Sequence, residues 1–349
     1  MSTLKKINVV RRALMQGLTK NIGNTNSTKN IKLTDKTTIK KVLISRPNQR
    51  LGNLLLITPL IQEVTNTFPG CKIDLFVKGT IAPIVFENYE NINNVVELPK
   101  KPFKETLNYI KVWIKLKKQH YDIAINVDKN SSSGRLSVQF ANATYKFFGE
   151  ASEDIESKYK DYEHIAKYPI YNFRSFLTQL GLDKNESPIP SLDLKLSNSE
   201  IANGQKLLKD IVNNEKKTIC IFTYATGDKC YSETWWEVFY ERLKAEYQNN
   251  YNIIEVLPVE NISKIGFKAP TFYSKDVREI GSLIANSVLF IGADSGIMHL
   301  SSASKTPTVG LFSKDNIRKY EPYNNNSVAI NTNDSTVDDW IKVINKILS

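Results

Sequence analysis

The sequence is poor in cysteine and has no long apolar run. Its three cysteines, Cys71, Cys220 and Cys230, form neither a CxxC pair nor a zinc-binding spacing, which indicates a reducing compartment. No run of about 18 uninterrupted apolar residues occurs, so we expect no membrane-spanning helix. With 41% hydrophobic and 24% charged residues, the 349-residue chain has the composition of a globular protein, long enough for two domains.

Acidic residues are nearly absent from the first 41 residues, where ten Lys or Arg accompany a single Asp. This segment therefore carries +9 of the net charge of +11. A nucleic-acid-binding protein more often spreads its basic surface over the fold, so we expect no nucleic-acid partner. Apolar residues recur here at steps of three and four, which predicts a short basic amphipathic helix on an anionic membrane surface. The alternative is a basic tail without function.

Beyond residue 41, short apolar runs alternate with helical periods. We predict strands at 42–46, 72–78, 94–98, 121–127, 145–148, 218–224, 253–257, 288–291 and 308–312. We predict helices at 54–68, 103–118, 137–141, 171–180, 235–247, 277–285, 296–304 and 338–348. This alternation indicates an α/β fold with parallel sheets covered on both faces.

The run Ser-Pro-Ile-Pro at 187–190 interrupts the periodicity and marks a domain boundary. We divide the chain into a basic leader and tether at 1–40, a first Rossmann-like domain at 41–186, a second at 187–334 and a C-terminal helix at 335–349. Loops at the carboxyl ends of the strands would line a shared central cleft.

The sharpest motif is GADSGIMHL at 292–300, where a predicted strand runs into a helix. The first amides of that helix, around Ser295 and Gly296, would point at an anion, and the helix dipole would favour negative charge there. Asp294 would accept hydroxyl groups of a ligand or cap the helix, and His299 lies one turn further on. The alternative, favoured slightly on spacing alone, is an Asp N-cap with a satisfied histidine.

Three more loops follow predicted strands. The first contains Thr223, Thr226 and Lys229, and a lysine there suits a phosphate, although a solvated lysine is the commoner case. The second contains Gly52, which would let the turn close, and Asn53, which is either an N-cap or a ligand contact. The third has serines at 131–133, then Gly134 and Arg135, and suits an anionic or sugar ligand or is a capped turn with a surface arginine.

Three of these segments match a family pattern. RPNQRLGNLLLITP at 46–59 is similar to the family's first loop and helix, which usually read Leu-Gly-Asp and then a run ending in Thr-x-Pro. KCYSETWW at 229–236 is similar to Lys-x-Trp-Pro, and Asp294 to His299 match Asp-[Ser/Thr]-Gly-x-x-His. Over residues 41–331 the chain therefore resembles glycosyltransferase family 9, the ADP-heptose:lipopolysaccharide heptosyltransferases.

The resemblance implies a GT-B fold of two tandem Rossmann-like domains, the first facing the acceptor and the second binding the donor. It implies inverting transfer of a heptose from ADP-heptose to a lipopolysaccharide core or related lipid-linked saccharide. The implied donor-binding residues are Thr223, Thr226, Lys229, Asp294, Ser295, Gly296 and His299, and the acceptor-side residues are Gly52 and Arg135. The nucleotide sugar is a substrate, and we expect no cofactor and no metal.

One departure concerns the catalytic position, where the family commonly has Asp and this chain has Asn53. An amide cannot take a proton, so either Asn53 only orients the acceptor or catalysis depends on stabilising the leaving group. A non-catalytic nucleotide- or saccharide-binding relative is the alternative function. A nicotinamide oxidoreductase is disfavoured because the first βα turn lacks GxGxxG.

The leader, together with a lysine-rich stretch at 100–118, favours an anionic acceptor at the membrane. We therefore expect a cytoplasmic protein that lies peripherally on the cytoplasmic face of the inner membrane. We also expect a monomer.

Overall fold

The computed structural model describes Gly17, Ile22 and residues 32–100, 104–150 and 154–349. The predicted amphipathic helix of the leader lies outside these residues, apart from Gly17. The described chain forms two compact units. Unit 1 contains the part of the chain up to Gln49, together with Leu60–Pro83 and Tyr89–Pro190, and unit 2 contains Arg50–Pro59, Ile84–Asn88 and Ser191–Ser349.

Unit 1 is built on a parallel sheet of five strands in the order β3-β2-β1-β4-β5. The strands are β1 Lys41–Arg46, β2 Lys72–Lys78, β3 Ile92–Leu98, β4 His120–Asn126 and β5 Asn142–Phe147. The central strands read as continuous apolar runs because helices cover both faces of a parallel sheet. In β1, five of the six residues are buried.

Unit 2 is built on a parallel sheet of six strands in the order β11-β10-β9-β6-β7-β8. The strands are β6 Lys217–Phe222, β7 Tyr251–Val256, β8 Thr271–Phe272, β9 Leu289–Ala293, β10 Thr308–Phe312 and β11 Val328–Asn331. The predicted strands are thus present in two parallel sheets, and the predicted α/β class is confirmed. The edge strands β8 and β11 were not predicted.

The helices connect these strands. They are α1 Leu51–Leu55, α2 Thr58–Thr67, α3 Ala82–Val85, α4 Thr106–Lys118, α5 Ser132–Phe140, α6 Ile155–Lys158, α7 Tyr168–Gln179, α8 Asn198–Val212, α9 Glu233–Tyr247, α10 Val277–Ala285, α11 Gly296–Ala303, α12 Ile317–Tyr320 and α13 Val337–Leu348. None of the helices in these described ranges is both long and apolar enough to cross a membrane.

The predicted single helix at 54–68 is wrong, because the chain forms α1 and α2 with a break between them. Pro59 has no N–H to continue the hydrogen-bond ladder of α1, but it fits the first turn of a new helix. The Thr58 hydroxyl donates to the carbonyl of Leu55 at 2.7 Å, which satisfies an acceptor at the end of α1. The break lets α1 belong to unit 2 while most of α2 belongs to unit 1.

Two segments from the first half of the sequence are therefore part of unit 2, whereas our sequence-based division placed all of 41–186 in one domain. Arg278 of α10, which is 4% exposed, donates to the carbonyl of Ile84 at 3.3 Å and to that of Leu194 at 3.2 Å. Asn88 donates to the carbonyl of Lys195 at 2.7 Å. These bonds attach the short segment Ile84–Asn88 to unit 2.

The C-terminal helix α13 is also part of unit 2. Thr336 caps it in a reciprocal bond with Asp339, and Trp340, Ile341 and Ile344 are buried in the core of the unit. The indole of Trp340 stacks on that of Trp235, with ring centroids 5.2 Å apart. This helix packs on the core of unit 2, so it is part of that unit, whereas our sequence-based division treated 335–349 separately.

Helix α4 covers unit 1 with a different face from the one the apolar pattern indicated. From the sequence alone, the spacing of Leu107, Ile110, Trp113 and Ile114 predicts that these residues share one apolar side of the helix. In the structure the inward residues are Leu116, which is fully buried, and the half-buried Tyr109, Val112 and Trp113. Leu107, Ile110 and Ile114 are instead exposed to solvent. The grouping was wrong because α4 is apolar on two faces.

Candidate functional site

The candidate site lies in unit 2, where β9 ends and α11 begins. Ser295 occupies the N-cap, and its Oγ accepts the amide of Met298 at 3.2 Å. The cap is therefore Ser295, and the expectation of an Asp N-cap is wrong. The N–H groups of Gly296 and Ile297, in the first turn, have no carbonyl partner within an α-helix. They form the positive end of the helix dipole at the carboxyl end of the strand.

Asp294 is freed from capping and holds two other side chains. Its carboxyl group is 5% exposed, and Oδ2 accepts Lys229 Nζ and Asn316 Nδ2, each at 2.9 Å. The Lys229 side chain is 36% exposed, and Nζ lies 5.9 Å from the centre of the Tyr320 ring. The buried carboxylate thus fixes one end of a lysine that still reaches solvent. A lysine held in this way can neutralise a phosphate placed over the helix terminus.

His299 is 5% exposed, one turn into α11. Burial lowers the pKa of His299 to about 4, with Asp294 opposing this change and Lys229 adding to it. The imidazole is therefore neutral at neutral pH. Its ring centroid lies 6.3 Å from that of Tyr320. At neutral pH the positive charge of this group of side chains therefore comes from Lys229, and the carboxylate of Asp294 balances it.

Gly52 brings α1 against α11 within unit 2. A Cβ built on Gly52 would lie 2.9 Å from Cδ2 of His299 and 3.4 Å from Cα of Gly296. A Cβ on Gly296 would lie 3.4 Å from N of Gly52. The two glycines therefore permit close contact between helices, a stronger requirement than the turn closure we expected of Gly52.

Asn53 is the third residue of α1 and is half-buried. Arg50 occupies the N-cap of this helix, so the N-cap interpretation of Asn53 is wrong. Its neighbour Gly52 packs against Gly296 and His299, so Asn53 lies one residue from that helix contact. The ligand-contact interpretation of Asn53 stays a prediction.

The two threonines predicted to bind the donor, Thr223 and Thr226, differ in their surroundings. Thr223 is 1% exposed, and its hydroxyl donates to Glu255 Oε1 at 2.5 Å and accepts the amide of Lys264 at 3.0 Å. Burial raises the pKa of Glu255, which also accepts the hydroxyl of Ser263 at 2.6 Å. Thr223 therefore fixes the loop that follows β7. Thr226 is exposed and directly precedes the short 3₁₀ turn Gly227–Lys229.

Arg135 lies in unit 1 and is only 8% exposed, so the expected surface arginine is wrong. Its guanidinium forms an ion pair with Glu150 at 2.7 Å and donates to the carbonyl of Lys129 at 3.0 Å. Ser131 caps α5 by accepting the amide of Gly134 at 3.1 Å. This loop is thus a capped turn, and its arginine is committed to protein partners.

Unit 1 also has a cleft of about 340 Å³, lined by residues of α2, α7 and the loop at 182–187. None of the predicted site residues lines it. Its two buried charges, Arg174 and Glu63, form a bidentate pair with both distances at 2.7 Å. Among the residues that the structure describes, no group of three His, Cys, Asp or Glu side chains is placed to hold a metal ion.

The structure thus brings together Lys229, Asp294, Ser295, Gly296 and His299, with Gly52 of α1 in contact. Sequence reasoning missed Asn316 and Tyr320, which contact Asp294 and Lys229 from the segment after β10. It also missed Glu255 as the partner of Thr223. The signal available in the sequence was an acidic residue inside an otherwise largely apolar strand, Glu255 of β7.

Two parallel α/β sheets are the architecture of the GT-B fold, and the solved structures that match this chain with that fold are glycosyltransferases. A glycosyltransferase family 9 protein from Veillonella parvula has this fold, with a TM-score of 0.70, 16% identity and coverage of 88% of this chain and 97% of its own. E. coli heptosyltransferase WaaC with ADP matches with a TM-score of 0.63, 16% identity and coverage of 88% and 99%.

The sequence comparisons agree with the resemblance seen in the motifs. The family model described as glycosyltransferase family 9 (heptosyltransferase) matches residues 275–340, which contain α10, β9 and α11. Lipopolysaccharide heptosyltransferase 3 of Escherichia coli K12 is 26% identical over 303 residues, covering 79% of this chain and 84% of its own. The predicted resemblance to glycosyltransferase family 9 is confirmed by these matches, and the similarity to heptosyltransferases indicates a glycosyltransferase.

Proposed function

We propose that this enzyme is an inverting glycosyltransferase that moves a heptose from ADP-heptose to a lipopolysaccharide core sugar or a related lipid-linked saccharide. The observation that carries the proposal is the Lys229–Asp294 pair at the N-terminus of α11 in unit 2. The similarity to a lipopolysaccharide heptosyltransferase and to WaaC with ADP supports the choice of acceptor and nucleotide.

The donor diphosphate would bind at the start of α11. The amides of Gly296 and Ile297 donate to its oxygens, and the absence of a side chain at Gly296 lets the phosphate approach the backbone. Lys229 adds a cationic contact from the loop after β6. As the sugar–phosphate bond breaks, negative charge builds on the diphosphate. The lysine and the helix terminus then stabilise the leaving group more strongly than the bound donor.

Asn53 would orient the acceptor hydroxyl, because its amide cannot accept a proton. The attacking hydroxyl approaches the anomeric carbon from the face opposite the diphosphate, so the configuration inverts. The proton of the attacking hydroxyl then passes to solvent or to a carboxylate at a position other than 53. On this proposal leaving-group stabilisation provides most of the acceleration.

A test is the initial rate of ADP release from ADP-heptose in the presence of a lipid-free core oligosaccharide. Lys229→Met should lower the rate and the affinity for ADP by about tenfold or more, since a hydrogen bond to a charged group contributes about 1.5–3 kcal/mol. Lys206→Met, an exposed lysine of α8, is the matched control and should behave as wild type. Tight ADP binding without ADP release by the wild type would favour the non-catalytic alternative.

A panel of ADP, GDP, UDP and CMP tests the identity of the nucleotide. A ligand that binds only the folded state raises the melting temperature by mass action. We expect ADP to raise it most, and a larger effect of another nucleotide would contradict ADP-heptose as the donor. We further propose that the enzyme is a monomer and acts at the cytoplasmic face of the inner membrane.

A further inference from the structure

The outer face of α4 in unit 1 combines exposed apolar side chains with lysines. Leu107 is 75% exposed, and Ile110 and Ile114 are each 49% exposed. Their spacing of i, i+3 and i+7 places them on one face of a helix with 3.6 residues per turn. Phe140 at the end of α5 is 53% exposed, and its ring packs edge-on against Trp113, 5.6 Å between centroids.

Cations border this apolar stripe on both sides, and α4 has no acidic residue. Lys111, Lys115 and Lys118 project on one side of the stripe and Lys117 on the other, as their positions around the helix require. All four are exposed, and within the described residues none of them forms an ion pair. The stripe thus lies between free positive charges.

The inward face of α4 already anchors the helix to its unit. Leu116 is fully buried, and Tyr109, Val112 and Trp113 pack on the core that contains Leu43 and Phe76. The described residues of unit 1 therefore leave the stripe exposed, although exposing three large aliphatic side chains together is unfavourable in water.

We propose that the outer face of α4, meaning Leu107, Ile110, Ile114 and the lysines around them, binds the surface of an anionic lipid bilayer. The apolar stripe would enter the boundary between headgroups and acyl chains, while the lysines contact anionic headgroups. A protein partner fits less well, because the cores of protein interfaces are depleted in lysine. The inference extends the proposed function, since it assigns a membrane contact to an enzyme whose acceptor is lipid-linked.

Vesicle flotation of the full-length chain tests the proposal, with phosphatidylglycerol mixed into phosphatidylcholine or phosphatidylcholine alone. The wild type should bind the mixed vesicles and lose binding at high salt. The triple variant Leu107→Gln, Ile110→Gln, Ile114→Gln should bind at least about tenfold more weakly, because the apolar insertion is lost. Glutamine keeps the helix propensity close to that of leucine, so α4 should persist.

A second variant removes the charge by changing Lys111, Lys115 and Lys118 to glutamine. We expect a loss of about fivefold per lysine at low salt. The matched control is Ile201→Gln with Val238→Gln, two exposed apolar residues on helices α8 and α9 of unit 2, which should bind like wild type. Equal binding of the apolar triple variant and the wild type would overturn the proposal, whatever the leader contributes.

Two further measurements separate the possible outcomes. If the wild type dimerises without lipid and the apolar triple variant is monomeric, the face binds a second copy of the chain, and the membrane proposal is overturned. ADP release with a lipid-free core oligosaccharide should be unchanged in the triple variant. If the wild type shows no such turnover while vesicle binding still depends on the α4 face, the transferase proposal fails and the membrane surface stands.

Discussion

The buried neutral histidine of α11 makes the stability of unit 2 depend on pH. His299 has its pKa lowered from 6.5 to about 4 by burial. Above 6.5 the histidine is neutral in both states, and the folded form has its full stability. Below 6.5 the unfolded chain binds a proton that the folded chain does not, so the free energy of unfolding falls. The loss is complete below about pH 4, and at about 1.4 kcal/mol per pH unit it amounts to about 3 kcal/mol.

The perturbation is His299→Gln, which removes the titrating group. Urea unfolding followed by tryptophan fluorescence is a suitable assay, because Trp235, Trp236 and Trp340 all lie in unit 2. From neutral pH to about pH 4, the wild type should lose about 3 kcal/mol of its free energy of unfolding relative to the variant. All other ionisable groups are present in both proteins, so their contributions cancel in this difference.

The control is His120→Gln, because the His120 side chain is 60% exposed in unit 1. It should leave the pH dependence of the unit 2 transition unchanged. A difference between wild type and His299→Gln that stays constant from pH 6.5 down to about 4 would refute the reasoning. It would mean that His299 titrates in the folded protein as it does in the unfolded chain.

Three further changes test the contacts around α11. Gly52→Ala places a Cβ 2.9 Å from His299 Cδ2 and should lower the free energy of unfolding by about 1–3 kcal/mol. Gly296→Ala, whose new Cβ would have its nearest contacts at 3.4 Å, should lower it less. Equal stabilities of the two variants in urea unfolding would contradict the close packing. Lys229→Met should raise the pKa of His299, because the lysine lowers it and Asp294 then acts unopposed, as an NMR titration of the imidazole would show. Asn53→Asp should retain or increase ADP release, up to the ~10²–10⁴-fold typical of a general base, and a loss of activity would argue that the amide itself is required.

The strands were predictable because buried parallel strands have a simple sequence pattern. For β2 and β10 the predicted bounds match the structure, since a glycine or proline adjoins each apolar run. Helix α8 was missed because it is mostly polar, with only Gly204 and Leu208 buried. Its Ser197–Glu200 capping box was nevertheless visible in the sequence.

Predicting the site from sequence was harder, because its bonds join distant positions. Lys229 and Asp294 were each predicted, but no spacing rule connects residues 65 positions apart. The assignment of the cap to Asp294 failed because Asp and Ser are about equally good caps, and neighbouring residues competed for the position. The role of Gly52 depends on a helix from another part of the chain, which a single-sequence pattern cannot reveal.

The composition of unit 2 from three separate stretches has a consequence for how such enzymes can recombine. A gene fragment encoding only residues 191–349 would lack α1, so Gly296 and His299 would lose the helix that packs against them. It would also leave Arg278 without the carbonyl of Ile84. A chimaera between relatives that exchanged the chain at one junction would pair α1 of one parent with α11 of the other. Unit 2 can therefore be exchanged intact between relatives only if residues 50–59 and 84–88 are exchanged with it.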